Sequence, residues 1–389
     1  MNKKIKYGRQ DITKADIDAV NNVLTSDWLT QGPMVPIFEE TVATYCGSEY
    51  SVATNSATSA LHIACLALDL GKGDILWTCP NTFVASPNAA LYCGAQVDFI
   101  DCDKDTYNID VVKLEEKLQQ AKQQNNLPKI IMPVHLTGQS CEMETVYKLS
   151  QKYGFKIIED GSHAIGGEYK NTKVGSCEYS DITVFSFHPV KIITTGEGGM
   201  ALTNDSKIYK KLKKLRSHGI TSDTDEMQPR SSDELWSYQQ VCLGYNYRMT
   251  DISAALGVSQ MSRIDEYIQR RHIIANTYNE ALANLPLKLP YQHPDTYSSY
   301  HLYVVRLELD KLQKSHKEIH DNLLEAGINV NLHYIPVYRQ PFYENMGFKE
   351  GYCPESEKYH KSAISIPMYP TLDDSDQDWV IETLKNIMS

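Results

Sequence analysis

From Ser51 to about Thr203, short apolar or β-branched runs alternate along the chain with segments of helical period. YSVAT precedes SALHIACLAL, DILWTCP precedes VASPNAALYC, AQVDFID precedes VVKLEEKLQQA, and KIIMPVH precedes METVYKLSQKY. Such alternation predicts an α/β fold with a mostly parallel central sheet. FKIIED, DITVFSF and GGMALTND then follow one another closely as strands, which leaves room for one antiparallel member where the helices drop out. Ligands on sheets of this kind gather at the carboxyl ends of the strands.

Beyond the sheet the pattern changes. Between Ser217 and Tyr238, GITSDTDEMQPRSSDELWS is too rich in Ser, Asp and Pro for a core element and is expected as a mobile surface excursion. After GYNYRMTD, the segment ISAALGVSQMSRIDEYIQRRHIIANTYNEALANL keeps a helical period for over 30 residues, up to Pro286 and Pro290. From about Tyr291, HLYVVRLEL reads as a strand and HKEIHDNLLEAG as a helix of a smaller α/β domain. The expected division is a large domain over 1–255 and a small C-terminal domain over 256–389, joined by the long helix.

The 389 residues are 42% hydrophobic and 22% charged, enough for two domains around a large buried core. A net charge of −11 argues against nucleic acid as a partner, because phosphate contacts need a basic excess. An anionic substrate must then be met by a local cluster. Nine scattered cysteines without a C-x-x-C argue for free thiols over a disulfide framework or a zinc ribbon. No run of about 18 apolar residues occurs, and MNKKIKYGRQ leads into no h-region. The expectation is a cytoplasmic protein with no membrane span and no signal peptide.

Three stretches carry chemistry. NSATSALHIA (Asn55–Ala64) joins a strand to a helix, and its small hydroxylated residues leave backbone N–H groups free for a phosphate. A plain Ser/Thr helix cap reads the same way, and the G-x-x-x-x-G-K-[ST] of a P-loop is missing. IIEDGSHAIGG sets Asp160 at the end of an apolar strand, where a carboxylate needs a cationic partner, although a turn cap is the commoner use. FSFHPVKIITTGEGGM (Phe185–Met200) holds Lys191 between Val190 and Ile192, at the end of a strand of the same sheet. Apolar surroundings favour the neutral amine that attacks carbonyls, so Lys191 suits a Schiff-base lysine. Gly196, Gly198 and Ala201 spell G-x-G-x-x-A, but a strand follows them, which argues against a Rossmann fingerprint. His316 and His320 have the i, i+4 spacing of metal ligands without the H-E-x-x-H order; they read as a solvated helix face, and no metal is expected.

Taken in order, LTQGP, NSATSALH, TFVAS, VHLTGQ, EDGSHAIG, FSFHPVKIITTGEGG, RSHG, GYNYRMTDISAALG and HYIPVY resemble the DegT/DnrJ/EryC1/StrS family of sugar-modifying aminotransferases over nearly the whole chain. The resemblance implies fold type I and pyridoxal 5′-phosphate as cofactor. Lys191 is similar to the lysine that holds the cofactor and then carries a proton between the substrate carbon and cofactor C4′. Asp160 resembles the carboxylate that keeps the pyridine nitrogen protonated. His163 matches a Gln or His near the ring oxygen, and Phe83 matches the aromatic residue that stacks on the ring face. Ala57 and Thr58 match the backbone amides, and Ser186 the hydroxyl, that hold the phosphate. Asn246 resembles an asparagine that reaches the phosphate from the neighbouring subunit, which implies a homodimer with a shared active site. Arg248 is either an interface strut or an anion contact.

Two positions depart from the family pattern. Ala57 replaces a frequent glycine, tolerable only if its φ is negative. Thr137 replaces a frequent aromatic residue and is expected to loosen packing near Gln139 without touching the chemistry. Related sugar dehydratases carry histidine in place of the lysine, so Lys191 favours transamination, with L-glutamate as the implied donor and a UDP-linked 4-keto sugar as acceptor. HPVKIITTGEGG, CPESEKYHKSAISIPMYPTL and NVNLHYIPVYRQPFY look most like the pseudaminic-acid branch, which aminates C4 of UDP-2-acetamido-2,6-dideoxy-β-L-arabino-hexos-4-ulose. In that branch Tyr7, Asp27, Trp28, Leu29, Thr30, His333, Tyr334, Ile335 and Pro336 match positions lining the substrate pocket; packing of the small domain is the plainer alternative for the tyrosines. The alternatives are 4-keto sugars of the perosamine, bacillosamine or 4-amino-arabinose type and, in a different class, a non-catalytic cofactor-binding regulator.

Overall fold

The alternating runs form one seven-stranded central sheet in the computed structural model, which describes residues 4–228 and 236–388. Helices α1 (Lys14–Leu24) and α2 (Met34–Cys46) lead into β1 (Tyr50–Thr54). β2 (Ile75–Thr78), β3 (Gln96–Phe99), β4 (Ile130–Met132) and β5 (Lys156–Asp160) follow. A hairpin of β6 (Glu168–Tyr169) and β7 (Thr172–Lys173) precedes β8 (Ile182–Ser186) and β9 (Gly199–Thr203). The strand order in the central sheet is β1-β9-β8-β5-β4-β2-β3. All its neighbours pair in parallel except β9, which runs antiparallel to both β1 and β8. The reversed strand falls where the sequence drops its helices, because a loop without a crossover helix can join β8 only to an antiparallel partner.

Helices α3 (Ala57–Ala67), α4 (Ala85–Tyr92), α5 (Val111–Gln123), α6 (Met143–Tyr153) and α7 (Ser206–Arg216) cover this sheet. On one face α3, α4 and α7 bury Leu61, Ala64, Ala89 and Leu212 against Val52, Leu76, Ile158 and Val184. On the other, α5 and α6 bury Leu114, Leu118, Val146 and Leu149 against Trp77, Ile131 and Ile157. Leu76 and Trp77, or Ile157 and Ile158, part to opposite faces because side chains alternate along a strand. Truncating one such buried leucine to alanine costs about 2–5 kcal/mol. Asp110 caps α5 by accepting from the N–H groups of Val112 and Lys113, and Gly154, at φ 82°, ends α6 in the left-handed conformation.

The long helical period does not form one helix. It splits into α8 (Asp251–Met261) and α9 (Ile264–Leu282). Arg263 leaves helical geometry at φ −117° and ψ 7°, and its guanidinium makes two bonds of 2.9 and 2.7 Å to the Asp16 carboxylate of α1. Asp16 is buried, so a straight helix would strand a carboxylate away from its cation. The short break leaves the apolar period in phase, which is why periodicity alone reads through it.

The expected mobile excursion falls partly on residues 229–235, outside the described residues. Its flanks, β10 (Ile220–Thr221) and β11 (Gln239–Gln240), pair antiparallel. Further on come β12 (Leu287–Lys288), β13 (Thr296–Tyr297), β14 (Tyr303–Leu307) and β15 (Ala363–Ile366), with α10 (His316–Glu325), α11 (Pro341–Glu344), α12 (Pro354–His360) and α13 (Asp374–Met388). β12, β14 and β15 make a second sheet, while β13 extends the β6–β7 hairpin. A second core gathers Tyr278 and Leu282 of α9, Val305, Ile319, Ile364 and Leu384.

Packing crosses the expected boundary at 255/256 in both directions. Ile5 joins the second core, pinned by backbone bonds to Gly327 and Asn329 of 2.9 and 2.8 Å. Val337, Tyr338 and Tyr343 pack instead into the core of the central sheet. His316 uses Nε2 to donate to the Ala363 carbonyl at 3.0 Å, tying α10 to β15. All nine cysteines are free, and among the described residues no helix is long and apolar enough to cross a membrane.

Candidate active site

Asp160 ends β5 and Ser186 ends β8, and the register pairs Asp160 with Val184 and Ser186 with Gly199. β1 ends beside Gly199 as well, so α3 starts at the same edge. A cavity of about 640 Å³ opens there. It is lined by Ala57, Thr58, Phe83, Asp160, His163, Ser186 and Lys191 from the sheet side, and by Tyr7 of the N-terminal segment with His333 and Tyr334 of the C-terminal part.

At the start of α3, Ser56 is the N-cap and accepts from the Ser59 N–H at 3.1 Å. Ala57 and Thr58 follow as the first helical residues, and their N–H groups have no acceptor among the described residues. Ala57 has the negative φ that its replacement of glycine requires. Gly199 lies against this turn so closely that a Cβ there would sit 2.4 Å from Ala57 N and 2.5 Å from the Ser56 carbonyl carbon. The unpaired amides and the positive end of the helix form an anion cradle that a side chain on β9 would close.

Asp160 is buried and accepts two hydrogen bonds, from Ser86 Oγ to Oδ2 at 2.6 Å and from the Ser162 N–H to Oδ1 at 3.1 Å. Lys191 is not at a strand end. It stands on the loop between β8 and β9, where its own N–H donates to the His188 carbonyl at 2.9 Å. Ile192 and Ile193 anchor that loop in the core, so the apolar run of the sequence serves the loop while Lys191 turns into the cavity. Burial lowers the Lys191 pKa to about 8, and the Asp160 charge only partly opposes this.

His163 is also buried, and burial, helped by the charge of Lys191, holds it well below the ordinary histidine range. Its Nδ1 accepts from the Thr137 N–H at 3.3 Å, so in the neutral ring Nε2 carries the proton and lies 3.3 Å from the Tyr334 hydroxyl. This corrects the expectation for Thr137. The residue adopts φ 64° in the short 3₁₀ turn at 136–138 and reaches the site through its backbone, whatever its side chain. Gln139 is not loosely packed either: its amide donates to the Tyr291 carbonyl at 2.9 Å and accepts from the His293 N–H at 2.6 Å.

Phe83 is 59% exposed at the cavity rim, its ring 6.2 Å from that of Tyr334. Across from it, His333 packs against Tyr7 with ring centroids 5.4 Å apart. Both His333 nitrogens are engaged within the protein: Nε2 accepts from Asn331 at 3.3 Å and Nδ1 donates to Ser365 at 2.7 Å. His333 thus offers the cavity its ring, not a free nitrogen.

The remaining candidates are not brought into this cavity. Ile335 points to solvent and Pro336 is buried beside it. Asp27, Trp28, Leu29 and Thr30 form an exposed turn, and Asn246 and Arg248 lie on a separate segment beside Asn55 and Ser217. The two pieces meet through the Thr30–Thr250 bridge and the 3.0 Å bond from the Asp251 N–H to the Leu29 carbonyl. Conversely, the cavity holds Thr82, Ser86, His188, Glu197 and His301, which the sequence did not single out. His301 lies 4.4 Å from His163 between ring centroids, and its buried Nδ1 has no partner among the described residues. The available signal was a histidine directly before the apolar run LYVVRL.

An anion cradle at a helix start, a buried carboxylate and a lysine with a depressed pKa, all at the carboxyl edge of this sheet, define a fold type I pyridoxal phosphate enzyme. The sequence profile of the DegT/DnrJ/EryC1/StrS aminotransferase family matches residues 10–385, and the chain belongs to that family of pyridoxal-phosphate-dependent sugar aminotransferases. It is 38% identical over 390 residues to the UDP-4-amino-4,6-dideoxy-N-acetyl-β-L-altrosamine transaminase of Campylobacter jejuni, a match covering 99% of this chain and 97% of the relative. Among solved structures it is similar to Helicobacter pylori PseC, an aminotransferase involved in the biosynthesis of pseudoaminic acid, with TM-score 0.89, 31% identity and 99% of each chain covered. The pyridoxal phosphate form of the sugar aminotransferase Spr1654 from Streptococcus pneumoniae matches with TM-score 0.87 and 30% identity, over 99% of this chain and 98% of that one.

Proposed function

We propose that this enzyme transfers the amino group of L-glutamate to C4 of UDP-2-acetamido-2,6-dideoxy-β-L-arabino-hexos-4-ulose. The observation that carries the reading is the convergence of Lys191, Asp160 and the free amides of α3 on one cavity whose far wall is aromatic. The similarity to the Campylobacter transaminase and to PseC supports the choice of sugar.

The residues fit pyridoxal phosphate end to end. Ala57, Thr58 and Ser186 would hold its phosphate, Asp160 its pyridine nitrogen, Phe83 one ring face and His163 the ring oxygen. When bound, the cofactor supplies a carbonyl for amine exchange and a ring that withdraws electrons from the carbon being deprotonated. Lys191 Nζ takes a proton from the α-carbon of glutamate and later delivers one to C4 of the sugar. A pKa of about 8 suits both tasks near neutrality, since neither the charged nor the neutral amine is remote. Neutral His163 adds no second positive charge beside Lys191, and the rings of Tyr7, His333 and Tyr334 give a wall for the nucleotide sugar.

We further propose a homodimer with a shared active site. The Asp27–Thr30 turn and the Asn246–Arg248 segment make one continuous surface, with Trp28 55% and Leu243 76% exposed. Apolar side chains of that size at the surface mark an interface, and a partner across it would receive Asn246 at its phosphate and Trp28 at its sugar.

A half-reaction followed by absorbance tests the function. L-glutamate bleaches the yellow enzyme; after its removal the UDP-linked 4-keto-L-sugar restores the colour and gains a primary amine at C4. Recovery only with another 4-keto sugar would move the enzyme to a different branch, and no bleaching by glutamate would overturn the donor.

A further inference from the structure

The Thr82–Ser86 turn holds two hydroxyls that the reaction does not use directly and that the helix behind them does not need. Val84 is the N-cap of α4 and its side chain caps nothing, so neither hydroxyl terminates the helix. Both are buried, and their oxygens lie 2.7 Å apart. Ser86 Oγ is 2.6 Å from Asp160 Oδ2. Ser86 donates to the Asp160 carboxyl across that short bond, so its single proton lies there, and its longer approach to the Phe83 carbonyl, 3.4 Å, is left without one. The Thr82 hydroxyl must then donate to Ser86. The direction of the chain is fixed as Thr82 to Ser86 to Asp160, and each link polarises the next.

We propose that Thr82 and Ser86 are positioning residues that set the plane of the Asp160 carboxylate, and through it the seat of the pyridine nitrogen. Ser86 occupies Oδ2 and the Ser162 N–H occupies Oδ1, so rotation about the carboxylate bond is stopped from both sides. The remaining lone pairs stay aimed at the cavity before any ligand arrives, and no ordering is left to be done on binding. The same turn carries Phe83, one residue after Thr82, so the ring-covering side chain and the carboxylate's support move as one piece. The inference rests on the role assigned to Asp160.

The test is the affinity of the apoenzyme for pyridoxal phosphate, titrated by absorbance and by intrinsic fluorescence, without turnover. Ser86→Ala raises the dissociation constant on the order of tenfold, the usual effect of losing a hydrogen bond to a charged group. Thr82→Val raises it less, and Ser86→Thr, which keeps a hydroxyl on Cβ, restores it. In an Asp160→Ala background, Ser86→Ala adds no further loss, because the effect runs through the carboxylate. An equal loss in both backgrounds, or none from Ser86→Ala alone, overturns the proposal while leaving Asp160 in its role. If Asp160→Ala itself leaves the affinity unchanged, the Asp160 assignment fails and the inference falls with it.

Discussion

His135 donates through Nε2 to Glu159 Oε2 across 2.7 Å, on the face of β5 opposite Asp160, and its backbone N–H holds the Asp160 carbonyl at 3.1 Å. The Cys141 N–H donates to His135 Nδ1 at 3.1 Å, which fixes Nε2 as the protonated nitrogen. The strand that presents the candidate catalytic carboxylate is thus braced from behind by a second, buried one.

Burial pushes the Glu159 carboxyl up, but the bonds from His135, Ser180 and Thr183 outweigh it and hold the pKa below its ordinary 4.5. A carboxyl lowered in the native state stabilises the fold fully above its unfolded value and loses that contribution as pH falls through the native one. Urea midpoints measured against pH should therefore drop on acidification below about 4.5 in the wild type. Glu159→Gln flattens that acid limb and costs about 2–3 kcal/mol at neutral pH, as loss of a charged hydrogen-bond acceptor does in a buried site.

Lys191 shifts the other way from a solvated lysine. With a native pKa of about 8 against an ordinary 10.5, the folded apoenzyme binds fewer protons than the unfolded chain between those values, so its stability rises with pH across that window. Covalent capture of pyridoxal phosphate by the apoenzyme should accelerate with pH and level off above about 8, following the neutral amine. Lys191→Ala abolishes both turnover and the pH-dependent capture, as stopped-flow absorbance would read.

Gly199 is the position where the cradle is least forgiving. In Gly199→Ala the new Cβ meets the backbone of Ser56 and Ala57 at 2.4–2.5 Å, and neither side can yield as a flexible side chain would. Overpacking of this kind costs about 1–3 kcal/mol, and the displaced helix start loses its aim at the cavity. Thermal melts with and without pyridoxal phosphate separate the two effects: the cofactor-induced rise in Tm shrinks along with the baseline.

A shared site predicts complementation between inactive variants. Lys191→Ala and Asn246→Ala homodimers each carry a lesion in both sites, whereas in a mixed dimer one site receives both lesions and the other none. Unfolding and refolding an equimolar mixture should recover about one quarter of wild-type activity if subunits pair at random. Recovery of none would place both residues in one subunit's site.

The sheet was legible because its strands are runs of apolar residues set between helical periods, and the single reversed strand because no helix stands between DITVFSF and GGMALTND. The break at Arg263 was not, since its cause is Asp16, about 250 residues away, and a short kink keeps the period in step. The contribution of Thr137 was hidden for a different reason: it acts through its backbone N–H, which every residue but proline carries.

By itself the sequence determined the order of elements and the residues with reactive chemistry, because hydrophobic period and side-chain type are local properties: Lys191 in an apolar run, Asp160 at a strand end, small hydroxylated residues before α3. Tertiary structure alone decided which of them share a space. Strand order places β8 beside β5 and β1 beside β9, bringing Lys191, Asp160 and Ala57 to one edge, while the same fold leaves Trp28 and Asn246 exposed and Arg248 half-buried outside that cavity. It also set the charge states, since the lowered pKa of Lys191 and the neutrality of His163 arise from burial, a property of the packed protein that no stretch of sequence contains.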